Sequence, residues 1–92
     1  MMTNSTLVNK NYFVINHHDF DELVQEHVPN CENFECVADF QMYNDTAKTI
    51  NNVTKSDEDI EIDEYSSAYS YIQFLCNKNI LPEGNYLIEV SW

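Results

Sequence analysis

Apolar and polar positions along the chain repeat with two different periods. Residues 12–15 (YFVI) form a short run of aromatic and β-branched residues, which is strand composition. The next stretch, HHDFDELVQEHVPN, places Phe20, Leu23, Val24 and His27 on one side of a helix and Asp19, Glu22 and Glu26 on the other. Asp19 and Glu22 have capping-box spacing, and Pro29 and Asn30 end the helix. In NFECVADFQMY the period changes to two: Phe34, Cys36, Ala38, Phe40 and Met42 alternate with Glu35, Val37, Asp39, Gln41 and Tyr43, the pattern of a half-buried strand. Asn44-Asp45 supplies a tight turn, and TAKTINNVT returns as the partner strand, with Gln41 opposite Lys48 and Asp39 diagonal to it.

From Ser56 the chain reads SDEDIEIDEYSSAYSYIQFLCNKN, with acids at its start and Lys78 near its end, the polarity a helix dipole favours. Ile62, Tyr65, Ala68, Tyr69, Ile72, Leu75 and Cys76 make an apolar stripe at helical spacing. Pro82-Glu83-Gly84 turns the chain into a last strand, with Tyr86, Ile88 and Val90 on one face and Leu87 and Glu89 on the other. The predicted order is strand, helix, strand, strand, helix, strand. This is the ferredoxin-like βαββαβ order of an α+β domain, two helices on one face of a four-stranded antiparallel sheet. Residues 1–10 carry no period and read as a flexible arm, leaving 11–92 as a single acidic domain.

Charge changes the picture most. The 92 residues hold 16 Asp and Glu against 4 Lys and no Arg, a net charge of −12. A domain of this size is about 30 Å across, so the excess is about one charge per 2.5 Å, against about one per 1.7 Å along duplex DNA. Such a field repels nucleic acid and attracts basic surfaces. With 43% apolar and 13% aromatic residues the chain still has the composition of a folding domain.

Most chemical functions lack their residues. DEDIEIDE has calcium-loop spacing at Asp57, Asp59 and Glu61, but Ile62 stands where the loop needs Gly and Ala68 where it needs a bidentate acid. His17, His18, Cys31 and Cys36 do not have the spacing of a structural zinc site. A single Gly leaves no phosphate-cradling loop, and there is no nucleophile elbow or HExxH. The expectation is therefore no catalytic residues, no metal and no cofactor. An RNA-recognition role lacks the basic surface it needs. No run is long enough to cross a bilayer, and the start lacks signal-peptide character, so the expected location is intracellular with no membrane partner. The three N-x-[ST] matches, at Asn4, Asn44 and Asn52, are then chance, and the three cysteines read as core thiols.

What remains are the acids. Asp19, Asp21, Glu22, Glu26, Glu32, Glu35, Asp57, Glu58, Asp59, Glu61, Asp63 and Glu64 are the candidate partner-binding residues, able to stand in for phosphates toward a row of Lys and Arg. Phe74, Tyr71 and Ile60 fall on the outer side of the second helix as drawn above, which marks a candidate homodimer interface.

Over essentially its whole length, including HHDFDELVQEHVPN, NFECVADFQMY and SDEDIEIDEYSSAYSYIQFLCNKN, the chain resembles the Arn family of small acidic anti-restriction proteins of T-even phages. The resemblance implies a non-enzymatic DNA mimic that inhibits a modification-dependent restriction endonuclease of the McrBC type in the cytoplasm of the bacterial host. It also implies a dimer with a lengthened negative surface. The residues alone leave a second reading open: an acidic adaptor that binds a basic protein without displacing DNA.

Overall fold

The computed structural model describes residues 12–42 and 47–91. Strand β1 (Phe13–Asn16) passes directly into helix α1 (His17–His27). Asn16 caps α1, its side-chain oxygen accepting from the His18 N–H at 2.9 Å, and Asp19 puts a negative charge in the first turn. The cap is thus Asn16 and not Asp19, which starts the helix earlier than the capping-box spacing suggests. Phe20 and Val24, one turn apart, are buried as their periodicity requires.

The segment after α1 overturns the predicted second strand. Residues 36–39 wind into a single helical turn, α2 (Cys36–Asp39). Strict alternation would put Cys36 and Val37 on opposite faces of a sheet, yet both are buried. Side chains satisfy the backbone here, where a strand would use a ladder. Asp21 accepts the Cys36 N–H at 2.7 Å, Asp39 accepts the Glu35 N–H at 3.1 Å, and the Gln25 amide donates to the Phe34 carbonyl at 2.8 Å. Gln41, at φ 54°, then turns the chain away.

Strand β2 (Ala47–Val53) forms where the return strand was expected, but its partner is β3 (Gly84–Glu89). Among the described residues the sheet has three strands in the order β1-β3-β2, with β1 parallel and β2 antiparallel to the central β3. Phe13 and Ile50 lie opposite Tyr86, and Ile15 and Lys48 lie opposite Ile88. A four-stranded antiparallel ferredoxin-like sheet is therefore incorrect for this chain, and Lys48 is not paired across strands with Gln41 or Asp39. The Asn44-Asp45 turn and the 1–10 arm lie outside the described residues. Near its end β2 carries a bulge, where Asn52 adopts φ 60° and its N–H donates to the Asn85 side chain at 2.5 Å.

Helix α3 (Ala68–Asn77) is the second departure. It begins at the Ser67 cap and not at Ser56, because a helix through 57–64 would stack like charges at three- and four-residue spacing with no Lys or Arg between 56 and 77 to relieve them. Residues 54–67 instead form an irregular connection. The later start also takes Ile62 and Tyr65 out of the helical stripe. Ala68, Tyr71, Ile72, Leu75 and Cys76 are buried, whereas Tyr65 is 86% exposed and Tyr69 also faces solvent. Asn79 ends α3 at φ 65°, with the Asn79 N–H on the Cys76 carbonyl and the Ile80 N–H on the Leu75 carbonyl, a Schellman motif built on asparagine.

One core joins these pieces. Phe20 and Val24 of α1, Ile72 and Leu75 of α3, and Ile50, Tyr86 and Ile88 of the sheet meet with Phe34, Cys36 and Met42 from the connection between α1 and β2. The chain's single glycine opens β3 at φ 150°, and a Cβ there would come within 2.6 Å of the Phe13 ring.

Candidate acidic interface

The candidate acids reach the surface from three places. Asp19, Glu22 and Glu26 line the solvent side of α1, Glu32 and Glu35 stand on the connection after it, and Asp57, Glu58, Asp59, Glu61, Asp63 and Glu64 occupy the segment before α3; all of these are exposed. Asp21 is different. It is half-buried and its carboxylate holds the Cys36 N–H, so it builds the fold. Among the described residues one contact of salt-bridge length forms, His27 Nε2 to Glu26 Oε1 at 3.8 Å, and it is ionic only with His27 protonated. The negative charge is therefore largely uncompensated on the surface.

Two amides on α3 position the acid-rich segment. The Gln73 amide donates to the Thr54 carbonyl at 2.5 Å and to Asn77 Oδ1 at 2.8 Å. Asn77 Oδ1 also accepts the Ser56 N–H at 2.8 Å, and its nitrogen donates to the Glu58 carbonyl at 3.3 Å. The Lys55 N–H reaches Glu83 at 2.8 Å. At the far end Asp63 closes a turn, its Oδ1 accepting the Tyr65 N–H at 2.8 Å while the Asp63 carbonyl accepts the Ser66 N–H at 3.1 Å. Gln73 and Asn77 escaped the sequence reading. Their signal is two amides one turn apart on an otherwise apolar helix.

Gln73→Ala removes the donor of two of these bonds and leaves the Thr54 carbonyl without its amide. The expected cost is about 1–3 kcal/mol. Hydrogen exchange should become faster at Ser56 and Glu58 than at the β3 amides, which would separate local release of the segment from general loosening.

The proposed dimer surface changes. Tyr71 is 7% exposed and packs in the core against Phe34 and Phe40, so it does not belong to an outer face. Tyr71 lies next to Ile72 and one turn before Leu75, on the face of α3 that the core takes. Phe74 and Ile60 are half-buried, and Lys78 Nζ lies 5.4 Å from the Phe74 ring centre.

Two of the three thiols sit in surroundings that favour their protonated form. Burial, with Asp21 alongside, pushes the Cys36 thiol up, and burial does the same for Cys76. Burial likewise pushes Tyr71 up to about 12, with Cys31 beside it, and Tyr86 up to about 12. The Tyr86 hydroxyl donates to the Pro82 carbonyl. His17 is buried, with Nδ1 accepting the Ser91 N–H at 3.0 Å. Among the described residues no group of three or more His, Cys, Asp or Glu is placed to hold a metal ion, and no helix is long and apolar enough to cross a membrane.

Between the connection after α1 and the turn before α3 lies an open cleft of about 480 Å³. Phe34, Phe40, Tyr71 and Ile62 line its apolar part. Glu32, Asp39, Asp63 and Glu64 line its polar part.

No protein-family model, curated protein or solved structure matches this chain.

Proposed function

We propose that this protein is a non-enzymatic DNA mimic that occupies the basic DNA-binding surface of a modification-dependent restriction endonuclease of the McrBC type. The observation that carries the reading is the display of eleven exposed candidate acids on α1, the connection after it and the segment before α3, with no Lys salt bridge among the described residues. Carboxylates held this way face a Lys- and Arg-rich groove much as phosphates do, and they steer association over long range. The sequence resemblance to phage anti-restriction proteins supports the same reading and supplies the nuclease class and the bacterial cytoplasm. The reading includes a homodimer, which the small core of a chain this size favours.

Purified nuclease, modified DNA and this protein provide the test. Cleavage should fall as the protein is added, and bound DNA should be released from the nuclease in the same concentration range. Binding to the nuclease with the DNA still in place would replace the mimic with an acidic adaptor. Undiminished cleavage at stoichiometric excess and low salt would remove the proposed function.

A further inference from the structure

We infer that the cleft between the connection after α1 and the turn before α3 receives an arginine side chain. Its walls differ in chemistry. Phe34, Phe40 and Tyr71 form a packed aromatic group, with ring centres 4.9 Å apart for Phe34 and Tyr71 and 5.6 Å for Phe40 and Tyr71. Glu32 and Glu64, both exposed, line the same cleft. At about 480 Å³ the cleft is in the roughly 300–1,000 Å³ range of sites that enclose a small ligand or a few side chains.

Electrostatics and solvation select the occupant. An anion meets four carboxylates. An apolar group strips water from them and returns no hydrogen bond. A bare metal ion needs several converging ligands, and no such group forms among the described residues. A guanidinium suits both parts, since its planar, weakly hydrated face lies against the half-buried Phe40 ring, Phe34 and Tyr71 being almost wholly buried, while its edge donates to carboxylates. The more strongly hydrated ammonium of lysine gains less from the same walls. The owner of the arginine, but not the site, rests on the proposed binding of a basic protein. On that reading the cleft adds one directional contact to an otherwise diffuse electrostatic surface.

Titration of the ¹⁵N-labelled protein with N-acetyl-arginine amide tests the site directly. Amide shifts should saturate and concentrate at Cys31, Phe34, Phe40, Ser66 and Tyr71. N-acetyl-citrulline amide, nearly the same shape without the charge, should produce none of them, and N-acetyl-lysine amide should bind more weakly than arginine. A Glu32→Gln/Glu64→Gln double variant, whose spectrum shows whether it folds, should weaken arginine binding roughly three- to tenfold. Shifts that never saturate and spread equally over α1 and residues 57–61 would overturn the site, as would citrulline or lysine binding as tightly as arginine. Protection of DNA without arginine binding would overturn the cleft and keep the mimic; arginine binding without protection would do the reverse.

Discussion

Replacing Asp57, Glu58, Asp59 and Glu61 together by Asn and Gln should weaken nuclease inhibition by roughly 4- to 900-fold, at about 0.2–1 kcal/mol for each of the exposed charge pairs lost. Any one of these changes alone should cost less than about fivefold, because a single exposed pair contributes at most about 1 kcal/mol. The fold should tolerate the exchange. Among the described residues the segment is held through the backbone of Ser56 and Glu58, while these four carboxylates accept none of the hydrogen bonds that anchor it. Salt should act in the same direction, since exposed charges are screened within about 8 Å at physiological ionic strength. Inhibition curves for the quadruple and single variants at several salt concentrations give the answer. Equal potency at low and high salt, or complete loss from one substitution, would show that the interface is a specific pocket and not a charged surface.

Phe34→Ala should remove a large part of the stability of the domain. Phe34 is 6% exposed and its ring meets Phe20 at 5.9 Å, Phe40 at 5.5 Å and Tyr71 at 4.9 Å between centroids. Truncating a buried Phe costs about 3–5 kcal/mol, against total stabilities of about 5–15 kcal/mol for domains in general. Urea denaturation should show a large fall in midpoint or no folded baseline. Tyr65→Ala is the matched control. With 86% of that residue exposed, the change should stay within about 0.5 kcal/mol. A midpoint that moved more for Tyr65 than for Phe34 would contradict the packing described above.

The two outcomes bear on how much was legible in the chain. Local signals served well where one element had one local cause. The β-branched run at β1, the Phe20 and Val24 spacing of α1 and the alternation of Tyr86 and Ile88 in β3 each match the element that formed. The failures have non-local causes. Phe34, Cys36 and Met42 alternate like a strand, but the bonds that shape their backbone come from Asp21 and Gln25 on α1, which no period in 34–42 encodes. The strand order failed for a related reason, since βαββαβ reasoning required a second strand at 33–43 to pair with β2. At α3 the dipole argument favoured acids at a helix start and underweighted their mutual repulsion. For the candidate interface, the exposure of most acids followed from composition and helical phase. The structural role of Asp21, the bracing by Gln73 and Asn77 and the cleft around Tyr71 depend on tertiary contacts.

The central position of β3 has a consequence for how the chain acquires its structure. Phe13 pairs with Tyr86 across most of the sequence, and β2 also waits for the same strand. Neither β1 nor β2 has a sheet neighbour among the described residues until residues 84–89 have been synthesised. Contacts this distant must overcome loop-closure entropy before they contribute, which places the domain toward the slow end of small mixed α/β folders. Synthesis of β3 thus becomes the event that joins β1 to β2. The net charge of −12 adds like-charge repulsion between chains, which opposes edge-to-edge pairing of β1 or β2 before β3 is in place.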